Sequence, residues 1–280
     1  MTLLFQRHLN LKPLKSMSSW RKVAVSGWAS PGDPTVYAFF DVDADGALDY
    51  VARCSKLSGE RTTLTHFAGR VVAEAFKRHP EINCIARWGK LYVREDVSVF
   101  FQVATDIRGE DLSGVVIHRA DEKSVSELAT EMNLKVAAVR ANEDKSYVRL
   151  KNLFSTLPAW AVKPVLNFSS FFLYALNIWS PLFGTPKNSF GSVMITNIGS
   201  LGMTRGLAPL VPYSHVPMLI ALGAVEEVPV VRDGKIVAVR RITIGATFDH
   251  RMIDGVVGAK MAETIKKAFA DPAGMLGPAG

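Results

Sequence analysis

The sequence predicts an α/β protein of the α+β kind, a mixed β-sheet with helices packed on it. Three observations lead there. Residues 35–43 alternate in the period-two manner of a half-buried strand. Residues 63–78 carry Leu64, Phe67, Val71, Val72, Ala75 and Phe76 at helical spacing and close on His79-Pro80. The β-rich runs 217–231 and 236–248 flank Asp233-Gly234, a hairpin turn signal. Helical and strand patterns interleave without an internal repeat or low-complexity linker, so one layered domain is expected over residues 20–280.

The remaining elements follow in order. Leu91–Val93 and Val97–Val103 read as two short strands, and Val115–Ile117 as another. Residues 124–142 read as a helix, with Ser124 as N-cap and Glu127 three positions on, a capping-box spacing. Residues 191–197 are β-rich, and the helical segment Val256–Phe269 ends near Asp271-Pro272, before a flexible Gly/Pro tail. Residues 146–187 stand apart as an apolar segment that Pro158, Pro164 and Pro181 break into short pieces. Val165–Phe183 approaches the roughly 20 apolar residues that span a bilayer. Asn167, Asn177, several serines and Pro181 argue against a span. A helical cap buried against another subunit ranks first for this segment. A lid over an acyl-chain pocket, a membrane-surface helix pair with Trp160 and Trp179 at the interface, and a transmembrane anchor follow in that order.

Composition narrows the function classes. A chain of 280 residues with 48% hydrophobic and 21% charged content builds a sizeable core. The net charge of +7 invites an anionic partner. No interleaved basic-aromatic patch or nucleic-acid motif accompanies it, so nucleic acid is not expected. A phosphate-bearing ligand or an anionic membrane surface fits better, and a modest positive excess also serves plain solubility. Cys54 and Cys84 lack a C-x-x-C spacing, so no metal site is expected, and two cysteines without a secretion signal suit the cytoplasm. Residues 1–19 read as an N-terminal arm within an acid-free stretch of 32 residues, a weak likeness to a transit peptide.

The densest chemistry lies in Asp249-His250-Arg251-Met252-Ile253-Asp254-Gly255, at the end of a β-type run and before a helical one. A strand end is a rigid platform, and histidine titrates near neutrality, which suits a general base. Most histidines are structural, but two acids and an arginine within five residues can fix a tautomer or an ion pair here. His66, His79, His118 and His215 lie in no comparable constellation and rank as structural or surface residues.

This run resembles the signature of the dihydrolipoamide acyltransferase (E2) catalytic domain of 2-oxoacid dehydrogenase complexes. It is also similar to the His-x-x-x-Asp-Gly motif of chloramphenicol acetyltransferase, which shares that fold. Three further segments match in order. Val193–Gly202 resembles the family's "TISNLG" strand and turn, and Val115–Ser124 resembles "PVIRNADQKS". Arg21–Ala24, with Tyr37–Asp43, resembles the opening helix and first strand. The resemblance covers roughly residues 20–140 and 188–270, and residues 146–187 diverge from it.

The resemblance implies a chloramphenicol-acetyltransferase-like fold and acyl transfer between coenzyme A and a thiol such as dihydrolipoamide. His250 then matches the catalytic base, and Thr196 matches the family's usual serine, whose hydroxyl donates to the oxyanion. Thr keeps the hydroxyl but adds a methyl and stiffens χ1. A strand threonine chosen for β propensity is the competing reading. Asp254 matches the acid that pairs with an N-terminal arginine, here Arg21, as support for the site. Gly255 is expected to permit a tight turn. The family's site lies between subunits of a homotrimer whose N-terminal arm packs on a neighbour, so a monomer is expected to be inactive. Residues around Gly202–Pro212 would border the coenzyme A side, with no individual contact assigned. Nothing before Trp20 has room for a lipoyl domain. Either a separate lipoyl carrier supplies acyl groups, or the chain has left the dehydrogenase pathway. The alternative to an enzyme is a catalytically inactive trimeric scaffold, membrane-associated through the apolar segment.

Overall fold

Two 15-residue strands joined by a tight turn set the architecture. The computed structural model describes residues 6–19, 33–104, 112–141, 156–181 and 185–279, with the single positions 22, 143, 148 and 152. Along the chain run β1 (Gln6–Arg7), β2 (Leu11–Pro13), β3 (Thr35–Asp43), α1 (Asp45–Ser58), α2 (Leu64–Arg78), β4 (Cys84–Arg87), β5 (Lys90–Arg94), β6 (Val99–Ala104) and β7 (Leu112–Ile117). Then come α3 (Val125–Arg140), α4 (Ala159–Ser170), a π turn (Phe171–Ala175), β8 (Ile178–Trp179), β9 (Val193–Asn197), β10 (Met218–Arg232), β11 (Lys235–Asp249), α5 (Gly255–Ala270) and α6 (Pro272–Leu276). Asp233 and Gly234 both take positive φ between β10 and β11, as the hairpin signal requires.

The main sheet has six strands in the order β3-β11-β10-β9-β6-β7. β9 runs parallel to both β10 and β6, and the other pairs are antiparallel. Period two divides its side chains between two faces. Val193, Ile195, Met218, Ile220, Leu222, Ile244, Ala246 and Phe248 join the main core with residues of α1, α2, α3 and α5. Met194 and Leu219 point the other way, into a smaller cluster with Val216, Phe190 and Leu210. α2 lies at the centre of the helical layer and buries every residue from His66 to Phe76. A second sheet, β2-β5-β4, and the pair β1-β8 dock the arm on its own chain.

The mixed sheet with packed helices matches the expectation, and most elements fall within two residues of it. Four features differ. α1, β4 and the short strands β1, β2 and β8 were not anticipated, although α1 buries Ala47, Tyr50, Val51 and Cys54 at helical spacing. Pro164 sits inside α4 and does not end it: the ring removes one N–H, and the helix runs six residues further. The C-terminal residues form α6 and pack, with the Tyr50 hydroxyl donating to the Gly277 carbonyl at 3.1 Å and Ala279 against the core. Gly255 has no positive φ, and a Cβ there would meet open space, so it is the first turn of α5 and not a tight turn.

Two glycines matter for position. A Cβ on Gly223 would lie 2.0 Å from the Thr204 carbonyl oxygen, and one on Gly245 would lie 2.3 Å from that of Gly206. The loop after β9 therefore crosses the sheet with its backbone against β10 and β11, fastened by the Ala224 N–H donating to the Met203 oxygen. Among the described residues no helix is long and apolar enough to cross a membrane. α4 lies on the surface with no buried residue, and Trp160 and Phe168 are exposed.

Candidate active site

His250 sits on a turn that the backbone ties down on every side. Its N–H donates to the Pro34 carbonyl at 2.8 Å, and the Asp249 N–H donates to Pro217 at 2.9 Å. The Asp249 carbonyl accepts both the Met252 and Ile253 N–H groups at 3.0 Å. Met252 and Ile253 are buried, so the turn is anchored in the core as well. Asp249, only 5% exposed, receives Arg251 through Nε at 3.0 Å and Nη2 at 2.6 Å, and also accepts the Arg251 backbone N–H at 2.9 Å. Such charge-assisted contacts are the strong ones, and together they close the loop around the histidine. The pairing also holds the Arg251 guanidinium above its ordinary pKa.

The imidazole itself is oriented. Nδ1 lies 2.8 Å from the Ile253 carbonyl oxygen. A carbonyl only accepts, so Nδ1 carries the proton and Nε2 is the basic nitrogen. The histidine is half-buried and lies beyond the last residue of β11. This gives the sequence-predicted base one tautomer and one direction. The orienting groups, the carbonyls of Ile253 and Pro34, leave no side-chain signal in a sequence.

Asp254 is the N-cap of α5, where Oδ1 accepts the Val257 N–H at 3.0 Å. A carboxylate there satisfies an orphan donor and complements the helix dipole. Arg21, its predicted partner, lies outside the described residues. Thr196 is half-buried near the end of β9, on the Met194 side of the sheet, away from the helices. Its neighbour Asn197 faces the helices and donates to Thr65 Oγ1 at 2.8 Å.

One chain does not bring His250 and Thr196 together. Phe248 pairs with Met218, whereas Thr196 pairs with Ala221, because β9 and β11 run in opposite directions beside β10. His250 is thus five residue steps along the sheet from Thr196, roughly 16 Å at about 3.3 Å per residue. It is also two strands across, roughly 10 Å. The separation of roughly 19 Å exceeds the reach of both side chains to one reacting carbonyl.

A recess of about 300 Å³ opens beside the turn, lined by Thr35, Leu210, His215, Asp249, Arg251 and Met252 among others. His250 is not among its lining residues. Four other histidines are hydrogen-bonded into the structure. His66 accepts the Thr63 N–H at 3.1 Å, and burial lowers it to about 4. His79 contacts Thr264 Oγ1 at 3.0 Å, and His118 contacts Ser98 Oγ at 3.1 Å with its pKa lowered by burial. His215 contacts Ser170 Oγ at 2.6 Å and stacks on Tyr174, and burial lowers it to about 4. Among the described residues no cluster of His, Cys, Asp and Glu could hold a metal.

Comparison with known proteins follows this geometry. The family model for 2-oxoacid dehydrogenases acyltransferase (catalytic domain) matches residues 17–146 and 187–277. The stretch left between, 147–186, contains α4, the π turn and β8. The chain is 25% identical over 244 residues to the dihydrolipoyllysine-residue acetyltransferase component of the pyruvate dehydrogenase complex of Staphylococcus aureus, covering 85% of this chain and 46% of that protein. It therefore spans about half the length of the curated relatives it matches. A probable dihydrolipoamide acetyltransferase from Listeria monocytogenes superposes with a TM-score of 0.63 at 19% identity, over 92% of this chain and 94% of that one. Chloramphenicol acetyltransferase superposes with a TM-score of 0.56 at 13% identity, over 92% and 99%.

Proposed function

The chain belongs to the family of 2-oxoacid dehydrogenase acyltransferase catalytic domains, and from that premise we propose that it moves an acyl group between coenzyme A and a thiol acceptor, dihydrolipoamide or similar. His250 is the general base. Nε2 takes the thiol proton, the thiolate sulfur attacks the thioester carbonyl, and the new C–S bond forms as the carbonyl becomes an oxyanion. Collapse breaks the old C–S bond, and the imidazolium returns its proton to the departing sulfur. Base catalysis of this kind is worth about 10²–10⁴-fold.

The observation that carries this reading is the 2.8 Å contact between Nδ1 and the Ile253 carbonyl, which orients the imidazole on a turn held by the backbone and assigns the acceptor role to Nε2. The Asp249–Arg251 pair beside it holds the turn in one shape. Thr196 supplies the oxyanion donor, and Asp254 with Arg21 supports the site. Because His250 and Thr196 lie roughly 19 Å apart in one chain, five residue steps along the sheet and two strands across, the complete site forms where one copy's His250 meets another copy's Thr196, as in a homotrimer. Coenzyme A is a substrate, with dihydrolipoamide or a similar thiol as the acceptor.

The test is transfer from acetyl-, butyryl- and longer acyl-coenzyme A to free dihydrolipoamide, with His250→Ala as control. Loss of turnover in a folded, assembled variant is expected. Undiminished turnover by folded His250→Ala would overturn the role of His250, whereas no transfer by the folded wild type would favour the inactive scaffold, which α4, an apolar helix with no buried residue, recommends as the second reading. Such a helix is expected to be covered by another subunit in the assembled protein.

A further inference from the structure

The segment outside the family match, residues 147–186, holds Trp160, at 79% the most exposed large hydrophobic side chain among the described residues. Along α4 and into the π turn, Trp160, Lys163, Asn167, Phe168 and Phe171 are exposed, with the three-to-four spacing of one helix side. Ala161, Val162, Val165 and Leu166 take the half-buried side. The segment stands on a firm base, because Leu173 and Tyr174 are buried in a small core with Leu9 and Ile85. Asn177 fastens the arm to it, accepting the Leu9 N–H at 2.7 Å and donating to the Leu9 carbonyl at 2.9 Å.

The tip of the β4–β5 hairpin extends the same surface. Its two-residue turn is Trp88-Gly89, both at positive φ, between the paired residues Arg87 and Lys90. Asn or Asp ordinarily fills the first place of such a turn, and a bulky residue there carries a backbone cost. Trp88 is 67% exposed, so burial within the chain does not offset that cost. Its indole N–H donates to the Ala175 carbonyl at 2.9 Å, and its ring stands edge-on to Phe171 with centroids 6.3 Å apart. Phe171 meets Phe172 at 5.7 Å, and Phe172 meets Phe168 at 4.7 Å. Rings from two elements thus form one continuous patch, and an exposed apolar patch of this kind marks a contact surface.

The charge around the patch selects its partner. Residues 145–225 contain six Lys and Arg and no Asp or Glu, where the chain's own frequency of 26 acids in 280 residues would place about seven. The arm that pairs with this segment through β1 and β8 belongs to a second acid-free stretch, residues 1–32. Exposed Lys90 and Lys163 flank the rings. Protein–protein interfaces are depleted in lysine, whereas helices that lie on a bilayer combine Trp and Phe with Lys. α4 has 12 residues, about 18 Å of helix, against a hydrocarbon core of about 30 Å, so it can lie along a bilayer but not cross one. We propose that this surface docks on an anionic lipid bilayer, with Trp88, Trp160, Phe168 and Phe171 entering the headgroup layer and Lys90 and Lys163 meeting lipid phosphates and carboxylates. The scaffold reading instead covers α4 with another subunit. The docking stands whether or not His250 catalyses acyl transfer.

The experiment is co-sedimentation of the full chain with vesicles of phosphatidylcholine alone and of phosphatidylcholine with phosphatidylserine. Saturable binding to the anionic vesicles is expected, weaker on the neutral ones and reduced by salt, with a blue shift of tryptophan emission. Lys90→Gln and Lys163→Gln should each weaken anionic binding about fivefold, the factor carried by one basic residue near a charged bilayer. Trp160→Ser, at a position that buries little, should weaken binding to both vesicle types while leaving the melting temperature in place. Absence of binding by the wild type, or undiminished binding by folded Trp160→Ser and Lys163→Gln, would overturn the docking. Dissociation of the assembled protein by Trp160→Ser without vesicles present would overturn it too, and would give the face to a second copy of the chain.

Discussion

If each site is built from two copies, two crippled variants should repair one another. His250→Ala removes the base and should lower acyl transfer about 10²–10⁴-fold. Thr196→Ala removes the oxyanion donor and should lower it about 10²–10³-fold. The roughly 19 Å between these residues in one chain, five steps along and two strands across, is what separates them. In a cyclic trimer each site takes its His250 from one subunit and its Thr196 from the next. When the two variants are co-expressed in equal amounts and assemble at random, the subunit giving His250 carries it intact half the time. Its neighbour carries Thr196 intact half the time, so about one quarter of the sites are whole. Turnover with dihydrolipoamide should then recover to about 25% of wild type, far above either parent. Distinct affinity tags on the two variants allow purification of trimers that contain both. Mixed trimers that stay at the parental level would refute the shared site and place both roles within one chain, against the geometry.

Four other outcomes follow from the contacts described. Asp249→Asn leaves Arg251 without its carboxylate. With Asp249 buried and Arg251 one-third exposed, a loss of about 1–3 kcal/mol in urea denaturation is expected. Turnover should fall alongside, because the His250 turn loosens. Asp254→Ala removes the cap of α5 and should cost about 1 kcal/mol, whereas Asp254→Asn restores the cap. If Asn rescues stability but not turnover, the carboxylate charge has a second task that the cap does not explain. His66 and His215 lie at about 4 in the folded protein against 6.5 in the unfolded chain, so the unfolded state binds more protons between those values. Stability is then full above pH 6.5 and falls as pH drops toward 4, by roughly 1.4 kcal/mol per group per unit. Denaturation midpoints at pH 7.5, 5.5 and 4.5 measure the slope, and a flat profile across that window would contradict it. Trp160→Glu with Phe168→Glu places two charges on the exposed face of α4. If another subunit covers that face, sedimentation equilibrium should show a weakened oligomer, and an unchanged mass at low concentration would reject the covering.

The candidate base stood out because its cues are local: an imidazole at a strand end, with two acids and an arginine inside five residues. Hairpin and helix signals of the same short range, Asp233-Gly234 and the Ser124–Glu127 capping box, appear in the structure where the spacing put them. α1 was missed although its apolar spacing was present, since Gly46 and a run of polar residues diluted it. What lay beyond reach were the non-local and backbone terms. No spacing reveals that the Ile253 carbonyl fixes the tautomer of His250, because every residue has a carbonyl. Nor does it reveal that parallel β9 and antiparallel β11 set Thr196 and His250 five residue steps and two strands apart in one sheet. That last fact changes how the motif should be read. If the proposed shared site holds, a signature that seems to list the parts of one site lists instead the two edges of an interface. Substitutions that weaken assembly should then lower turnover as surely as substitutions at His250 itself.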